Sequence, residues 1–184
     1  MRKKSSLPVS RRQTRHLKKN KPGTQTLITK RITDFANRFP GRNLETIKKI
    51  VKTISNFKII KADAKTIKEK YTKRTASQIL RTKNVFVKRP VRGCVDYNVV
   101  LCSVLRAKNI KAFFARNKRN HSVTIFELNK KWYRADPMPE RVKEDFHIVE
   151  IDLEEEKNDL IAFGKDAWSI GLTDITKFDL GKEK

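Results

Sequence analysis

Three residue types decide whether this chain can do covalent chemistry: Cys94, His121 and Asp136. Cys94 follows Gly93 and opens the run "CVDYNVVLCSVLRAKN", which carries Val95, Val99, Val100, Leu101, Val104 and Leu105 and is apolar on nearly every side. That pattern predicts a buried central helix with the thiol in its first turn. Backbone N–H groups and the helix dipole favour a thiolate there. A cysteine nucleophile also needs a base for its proton, usually an imidazole, and a third group to orient that imidazole. His121 and Asp136 are the candidates. Taken singly, a buried cysteine is more often a small core residue than a nucleophile, and a strand histidine a hydrogen-bonded bystander. The combination carries the reading.

Strand register decides whether His121 and Asp136 can meet. "IKAFFAR", "HSVTIFEL", "WYRAD" and "HIVEIDL" read as strands, with "NKK" as a turn. A two-residue turn at Asn129 and Lys130 pairs Leu128 with Lys131. His121 and Asp136 then become diagonal neighbours on one face, within about 7–8 Å. A four-residue loop keeps that register, and a three-residue loop sends the two side chains to opposite faces. Cys102 is the internal comparison. It lies eight residues after Cys94, in mid-helix, far from the helix-end field, and reads as core. Eight helical residues rise about 12 Å, too far for a disulfide, whose Cα atoms lie within about 7 Å. Free thiols suit a reducing, cytoplasmic compartment.

The elements that position these residues follow from periodicity. Leu27, Ile28, Ile32, Phe35 and Phe39 recur at helical spacing, "PGRN" breaks the run, and Asn43 is placed to cap a second helix. In that helix Leu44, Ile47, Ile50, Val51, Ile54 and Phe57 form one stripe, with Lys48, Lys49 and Lys52 turned away. Shorter helices are expected over "DAKTIKEKY" and, capped by Thr75, over "TASQILRT". Asn109 suits the left-handed position that ends the central helix. Helices followed by a run of strands predict an α+β fold.

Charge divides the 184-residue chain. Its formal net charge is +24, with 28 Lys+Arg against 4 Asp+Glu in residues 1–93 and 16 of each in residues 94–184. The first 25 residues hold no acid and no periodicity, and read as a disordered basic arm preceding one domain over 26–184, helical and basic over 26–92 with the catalytic core at 93–184. Such asymmetry points to an anionic partner for residues 1–93, with nucleic acid the candidate and Arg11, Arg12, Arg15, Lys18 and Lys19 in the arm as contacts. A solvated lysine face is the alternative. No apolar stretch reaches about 18 residues, and the N-terminus lacks the apolar run of a signal peptide. The sequence calls for no metal and no cofactor.

"GCVDYNVVLCSVLRAKNIKAFFA" and "HSVTIFELNKKWYRADP", with "RTASQIL" and "FGKDAWSIGL", resemble the transglutaminase-like superfamily of microbial cysteine peptidases and amidases over roughly residues 74–172. The resemblance implies a papain-like α+β core with a central helix packed on an antiparallel sheet, preceded by N-terminal helices. It implies Cys94 as nucleophile, His121 as general base and Asp136 as the orienting acid, with Asp96 and Trp132 flanking the site. The implied reaction is acyl transfer on a peptide or protein amide through a thioester, ending in hydrolysis or transamidation. A nucleic-acid-binding module on the same scaffold is the alternative. The chain departs from the family pattern at Asn109-Ile110-Lys111, where Gly-Ile-Pro is usual, at Asn129-Lys130 in place of Asn-Gly, and at Asn98, where a small residue is usual.

Overall fold

The computed structural model describes residues 23–144 and 147–173. Among them are α1 (Lys30–Asn37), α2 (Leu44–Ser55), β1 (Lys58–Lys61), α3 (Ala64–Lys70), α4 (Ala76–Thr82), β2 (Asn84–Val87), α5 (Cys94–Ala107), β3 (Lys111–Asn117), β4 (Ser122–Leu128), β5 (Lys131–Ala135), α6 (Pro139–Lys143), β6 (Ile148–Ile151), α7 (Leu153–Asp159) and β7 (Leu160–Gly164), with a 3₁₀ turn at Trp168–Ile170. The architecture is mixed α and β. β3 to β7 form an antiparallel five-stranded sheet in the order β6-β5-β4-β3-β7, and β1 and β2 pair in parallel as a separate ribbon.

The helices start where side chains cap them. Asn43 accepts from the Thr46 N–H at 2.9 Å, Asp63 caps α3 through Thr66, and Thr75 with Gln78 forms a reciprocal capping box on α4. Ile47, Ile50, Val51 and Ile54 of α2 are fully buried, as their stripe predicts. The stripe expected for the first helix is corrected. α1 begins at Lys30, so Leu27 and Ile28 precede it and are exposed, while Ile32 and Phe35 are buried.

α5 is buried over 13 of its 14 residues, Cys94 to Arg106. It packs on one sheet face, against Ala112, Phe114, Phe126, Tyr133 and Ala135. Its other sides meet α1, α2 and α4. The helix ends as expected at Asn109, φ +59°, where the N–H groups of Ile110 and Asn109 bond to the carbonyls of Leu105 and Arg106. This double closure satisfies carbonyls that a helix end leaves open. The opposite sheet face carries a smaller cluster of Ala115, Val123, Ile125, Leu160 and Phe163.

The β4–β5 turn is the two-residue one. Leu128 pairs with Lys131, and Asn129 and Lys130 both take positive φ, +52° and +64°. A lysine therefore occupies a position where glycine is the common choice. Residues 1–22, with Arg11, Arg12, Arg15, Lys18 and Lys19, lie outside the described residues. Gln25, placed in the arm by the sequence reading, belongs instead to the folded domain. Gln25 is buried, its N–H donates to Asp166 Oδ2 at 2.9 Å, and its side chain donates to the carbonyls of Thr72 and Arg74 at 3.1 and 3.0 Å. Among the described residues no helix is long and apolar enough to cross a membrane.

Candidate active site

Cys94 is the first residue of α5, and Gly93 makes that start possible. Gly93 has φ +81°, and a Cβ there would stand 2.2 Å from Val85 Cγ1. Only glycine admits both the backbone conformation and the close approach of β2. The thiol is 7% exposed.

His121 immediately precedes β4 and is held by the turn before it. Asn117 Oδ1 accepts from the N–H groups of Arg119 and His121 at 3.1 and 3.0 Å, and the Asn117 N–H donates to the His121 carbonyl at 2.9 Å. Asp136 immediately follows β5. Its N–H donates to the His147 carbonyl at 2.8 Å, and its Oδ1 accepts from Met138 N–H at 3.3 Å. Across these two strand ends His121 Nε2 meets Asp136 Oδ2 at 2.6 Å. This leaves the other ring nitrogen, Nδ1, for the thiol of Cys94, with which the imidazole also interacts.

The electrostatics follow from these contacts. Burial pushes the Cys94 thiol up, but the hydrogen bond and charge of His121, the Ser122 N–H and the Tyr71 hydroxyl outweigh it and hold the thiol below its ordinary value. Burial pulls His121 down, and its bonds to Asp136 and Cys94 push it the other way, up to about 10. Each group favours the charged form of the other, imidazolium beside thiolate. Cys102 is fully buried with Thr124 Oγ1 at 3.4 Å, and burial pushes its thiol up to about 11. The environments of the two cysteines, two helical turns apart, thus move their thiols in opposite directions.

Asp96 lies in the same first turn, and its carboxylate is engaged by Arg74. Its carboxylate is buried in an ion pair with the guanidinium of Arg74, which also donates to the Asn84 carbonyl at 3.0 Å and lies over the Phe86 ring. Burial raises the Asp96 carboxyl to about 6 against the opposing pull of Arg74. Trp132, expected to flank the site, does not reach it. It pairs with Glu127, and its ring packs on Phe113 and under the ammonium of Lys111, on the sheet face turned from α5. Four residues of strand, about 13 Å, separate it from Asp136.

Two side chains at the site had no role in the sequence reading: Asn98, noted there only as a departure from the family pattern, and Tyr71. Asn98, one helical turn after Cys94, donates to the Cys94 carbonyl at 2.9 Å and to the Ser122 carbonyl at 2.8 Å, and accepts from Thr124 Oγ1 at 2.8 Å. The i, i+4 spacing signals the first of these bonds, and the others depend on the fold. Tyr71 Oη lies 3.7 Å from Cys94 Sγ. No spacing rule links residues 71 and 94. The next residue, Thr72, is buried with φ +62°. A β-branched residue in that region costs about 1–3 kcal/mol and persists only where its surroundings enforce it. The Thr72 carbonyl is held by Gln25 Nε2 at 3.1 Å and by Trp168 Nε1.

Several cations of the described part of the basic half lie on and around the β1–β2 ribbon. Lys58 N–H donates to the Lys83 carbonyl, Lys61 stands opposite Val87, and Lys65 lies near enough to act on Asp63. Lys58, Lys61, Lys65, Lys83, Arg89 and Arg92 are exposed, and none of the six forms an ion pair with a described residue. Among the described residues no group of His, Cys, Asp and Glu is arranged to hold a metal ion.

No protein-family model and no curated protein matches the chain. The fold matches a crystal structure from Cytophaga hutchinsonii described as a "putative cysteine protease", with a TM-score of 0.56 at 15% identity over 89% of this chain. The chain spans 50% of that structure's length. At this identity the likeness is one of fold. That fold is consistent, at a coarse level, with the papain-like and transglutaminase-like arrangement.

Proposed function

We propose that the protein is a cysteine hydrolase of the transglutaminase-like type, acting on a peptide or protein amide. The observation that carries the reading is the chain of contacts from Cys94 through His121 to Asp136 at one end of the sheet. The Cys94 thiolate attacks the amide carbon, forming the Sγ–C bond as the C=O π pair moves to oxygen. The first N–H groups of α5, which have no partner within the helix, are the backbone donors available to hold that charge. As the tetrahedral species collapses, the leaving amine takes its proton from the His121 imidazolium. Asp136 keeps the ring oriented and stabilises its charge. Water gives a proton back to His121 and attacks the thioester, releasing the acid and restoring the thiolate. An amine in place of that water makes the reaction a transamidation.

Turnover of a panel of peptide amides tests this. Cys94→Ala and His121→Ala abolish it, and Asp136→Asn lowers it by about 10⁴, the cost of a wrongly presented imidazole. Turnover retained in Cys94→Ala refutes the reading.

A second reading is favoured by the six exposed cations around the β1–β2 ribbon, which form no ion pair with a described residue. We propose that residues 1–93 also bind nucleic acid through its phosphates. The two activities are compatible, because the ribbon adjoins the start of α5 at Gly93.

A further inference from the structure

Acyl transfer through Cys94 needs more than a nucleophile and a base. The carbonyl oxygen gains a full charge, and donors fixed in advance are worth most at that point. Backbone N–H groups at the head of α5 supply one side of such a site. The other side is Tyr71.

Its hydroxyl is placed 3.7 Å from Cys94 Sγ in a ring that is 3% exposed. The Val95 N–H also bonds to this oxygen, and the Tyr71 hydroxyl is among the groups that hold the Cys94 thiol below its ordinary value. With one N–H already bonded to the oxygen, the phenolic proton is free to be donated across the contact to sulfur. Burial first, then the nearby charges of Cys94 and Asp96, hold the phenol well above its ordinary value, so it remains a donor throughout the working range.

The backbone is arranged to keep it there. Tyr71 ends α3, with its N–H bonded to the Ile67 carbonyl at 2.9 Å. The chain then turns through Thr72 in the left-handed region, and the donors on the Thr72 carbonyl come from the two ends of the described chain, Gln25 and Trp168. Gln25 is itself fixed, its Oε1 accepting from the Ala167 N–H at 3.1 Å and its Nε2 also reaching the Arg74 carbonyl. A strained residue held by a buried amide and an indole is more support than the end of a seven-residue helix needs.

We infer that Tyr71 is a catalytic residue that donates a hydrogen bond to the oxyanion formed when Cys94 attacks a carbonyl. In the resting site the hydroxyl points at the thiolate over a long contact. As the Sγ–C bond forms, negative charge leaves sulfur for the carbonyl oxygen, and the hydroxyl follows it. No proton is transferred. When the C=O bond reforms and the leaving group departs, the donor returns to its resting position. The inference rests on the acyl-transfer reading given above.

The test compares two reagents on the full chain. Iodoacetamide alkylates a thiolate by displacing iodide, with no oxyanion. p-Nitrophenyl acetate acylates the same thiolate through one. Rates are compared on the high-pH plateau of each protein, where the thiolate fraction no longer matters. Tyr71→Phe, which removes one oxygen and keeps the ring, is expected to lower the acylation rate by about 10²-fold while leaving the alkylation rate near that of the unaltered protein. The unchanged alkylation also reports that the site is intact. Equal losses in both rates would make Tyr71 structural, and no loss in either would leave it idle, so each result overturns the inference. If the unaltered protein is alkylated but never acylated, the acyl-transfer reading fails and this inference with it. Normal acylation that survives in Tyr71→Phe defeats this inference alone.

Discussion

The amide of Asn98 ties Cys94 to Ser122: one nitrogen donates to both carbonyls, at 2.9 and 2.8 Å, from a fully buried side chain. Ser122 follows His121, so the helix that carries the thiol and the strand that carries the imidazole are fixed through a single group. Their separation is set by the backbone, independently of the thiolate–imidazolium attraction.

Replacing Asn98 by leucine therefore leaves the Ser122 carbonyl and the Thr124 hydroxyl without this buried partner, a loss of about 2–4 kcal/mol by the usual cost of unsatisfied groups. Denaturant unfolding measures it. The Cys94 thiol is also expected to titrate higher in this variant, because its imidazole partner is less firmly held. A variant with unaltered stability and thiol titration contradicts the role.

Arg74 and Asp96 form a pair in which each charge needs the other. Arg74→Met leaves a buried carboxylate alone and costs about 3–5 kcal/mol at neutral pH. The sign with pH follows from the carboxyl's elevation to about 6 even with Arg74 present. Losing the cation raises it further above its unfolded value, so the folded variant gains relative stability when the group is protonated. The deficit is expected to be smaller at pH 5 than at pH 8. An equal deficit at both, read from denaturant midpoints, refutes this account of the pair.

The two cysteines predict opposite alkylation profiles. His121 and its neighbours hold the Cys94 thiol below its ordinary value, whereas burial keeps Cys102 protonated up to about 11. At pH 6 iodoacetamide should modify Cys94 and spare Cys102, as peptide mapping will show. In His121→Ala the Cys94 profile should move to higher pH, because burial is then opposed only by the Ser122 N–H and Tyr71. Equal rates at the two cysteines would remove the basis for an activated thiol.

Nucleic-acid binding through the ribbon predicts a log–log salt dependence of duplex affinity with a slope of about −0.9 for each phosphate neutralised. Changing Lys58, Lys61, Lys65 and Lys83 together to glutamine should make that slope shallower by about 3–4 if all four contact phosphates. Cys94→Ala should leave it unchanged. Fluorescence anisotropy with labelled DNA and RNA duplexes measures both, and an unaltered slope in the fourfold variant marks the ribbon as a solvated face.

Periodicity made the central helix, the stripe of α2 and the β3–β6 meander legible, because these elements bury one face and their apolar spacing records it. Turn chemistry brought His121 and Asp136 together, through the parity set by Asn129 and Lys130. The β1–β2 ribbon was not legible: Lys58–Lys61 has two apolar residues between lysines, and its parallel partner lies 26 residues on. β7 was hidden by its direct continuation from the acidic helix α7, and Trp132 by a resemblance that gave its place in the chain but not its sheet face. Tyr71 was out of reach for a different reason. Its approach to Cys94 depends on a left-handed threonine, which no propensity would assign there, and on bonds from residues 25 and 168 that only the folded chain brings together.

The central claim is that Cys94 accepts an acyl group with help from His121. Intact-protein mass spectrometry after a short exposure to p-nitrophenyl acetate at neutral pH measures this most directly. The account predicts one acetyl adduct, mapped to Cys94, labile to hydroxylamine, and formed far more slowly in His121→Ala. No adduct at Cys94, or one that forms at the same rate without His121, would contradict it.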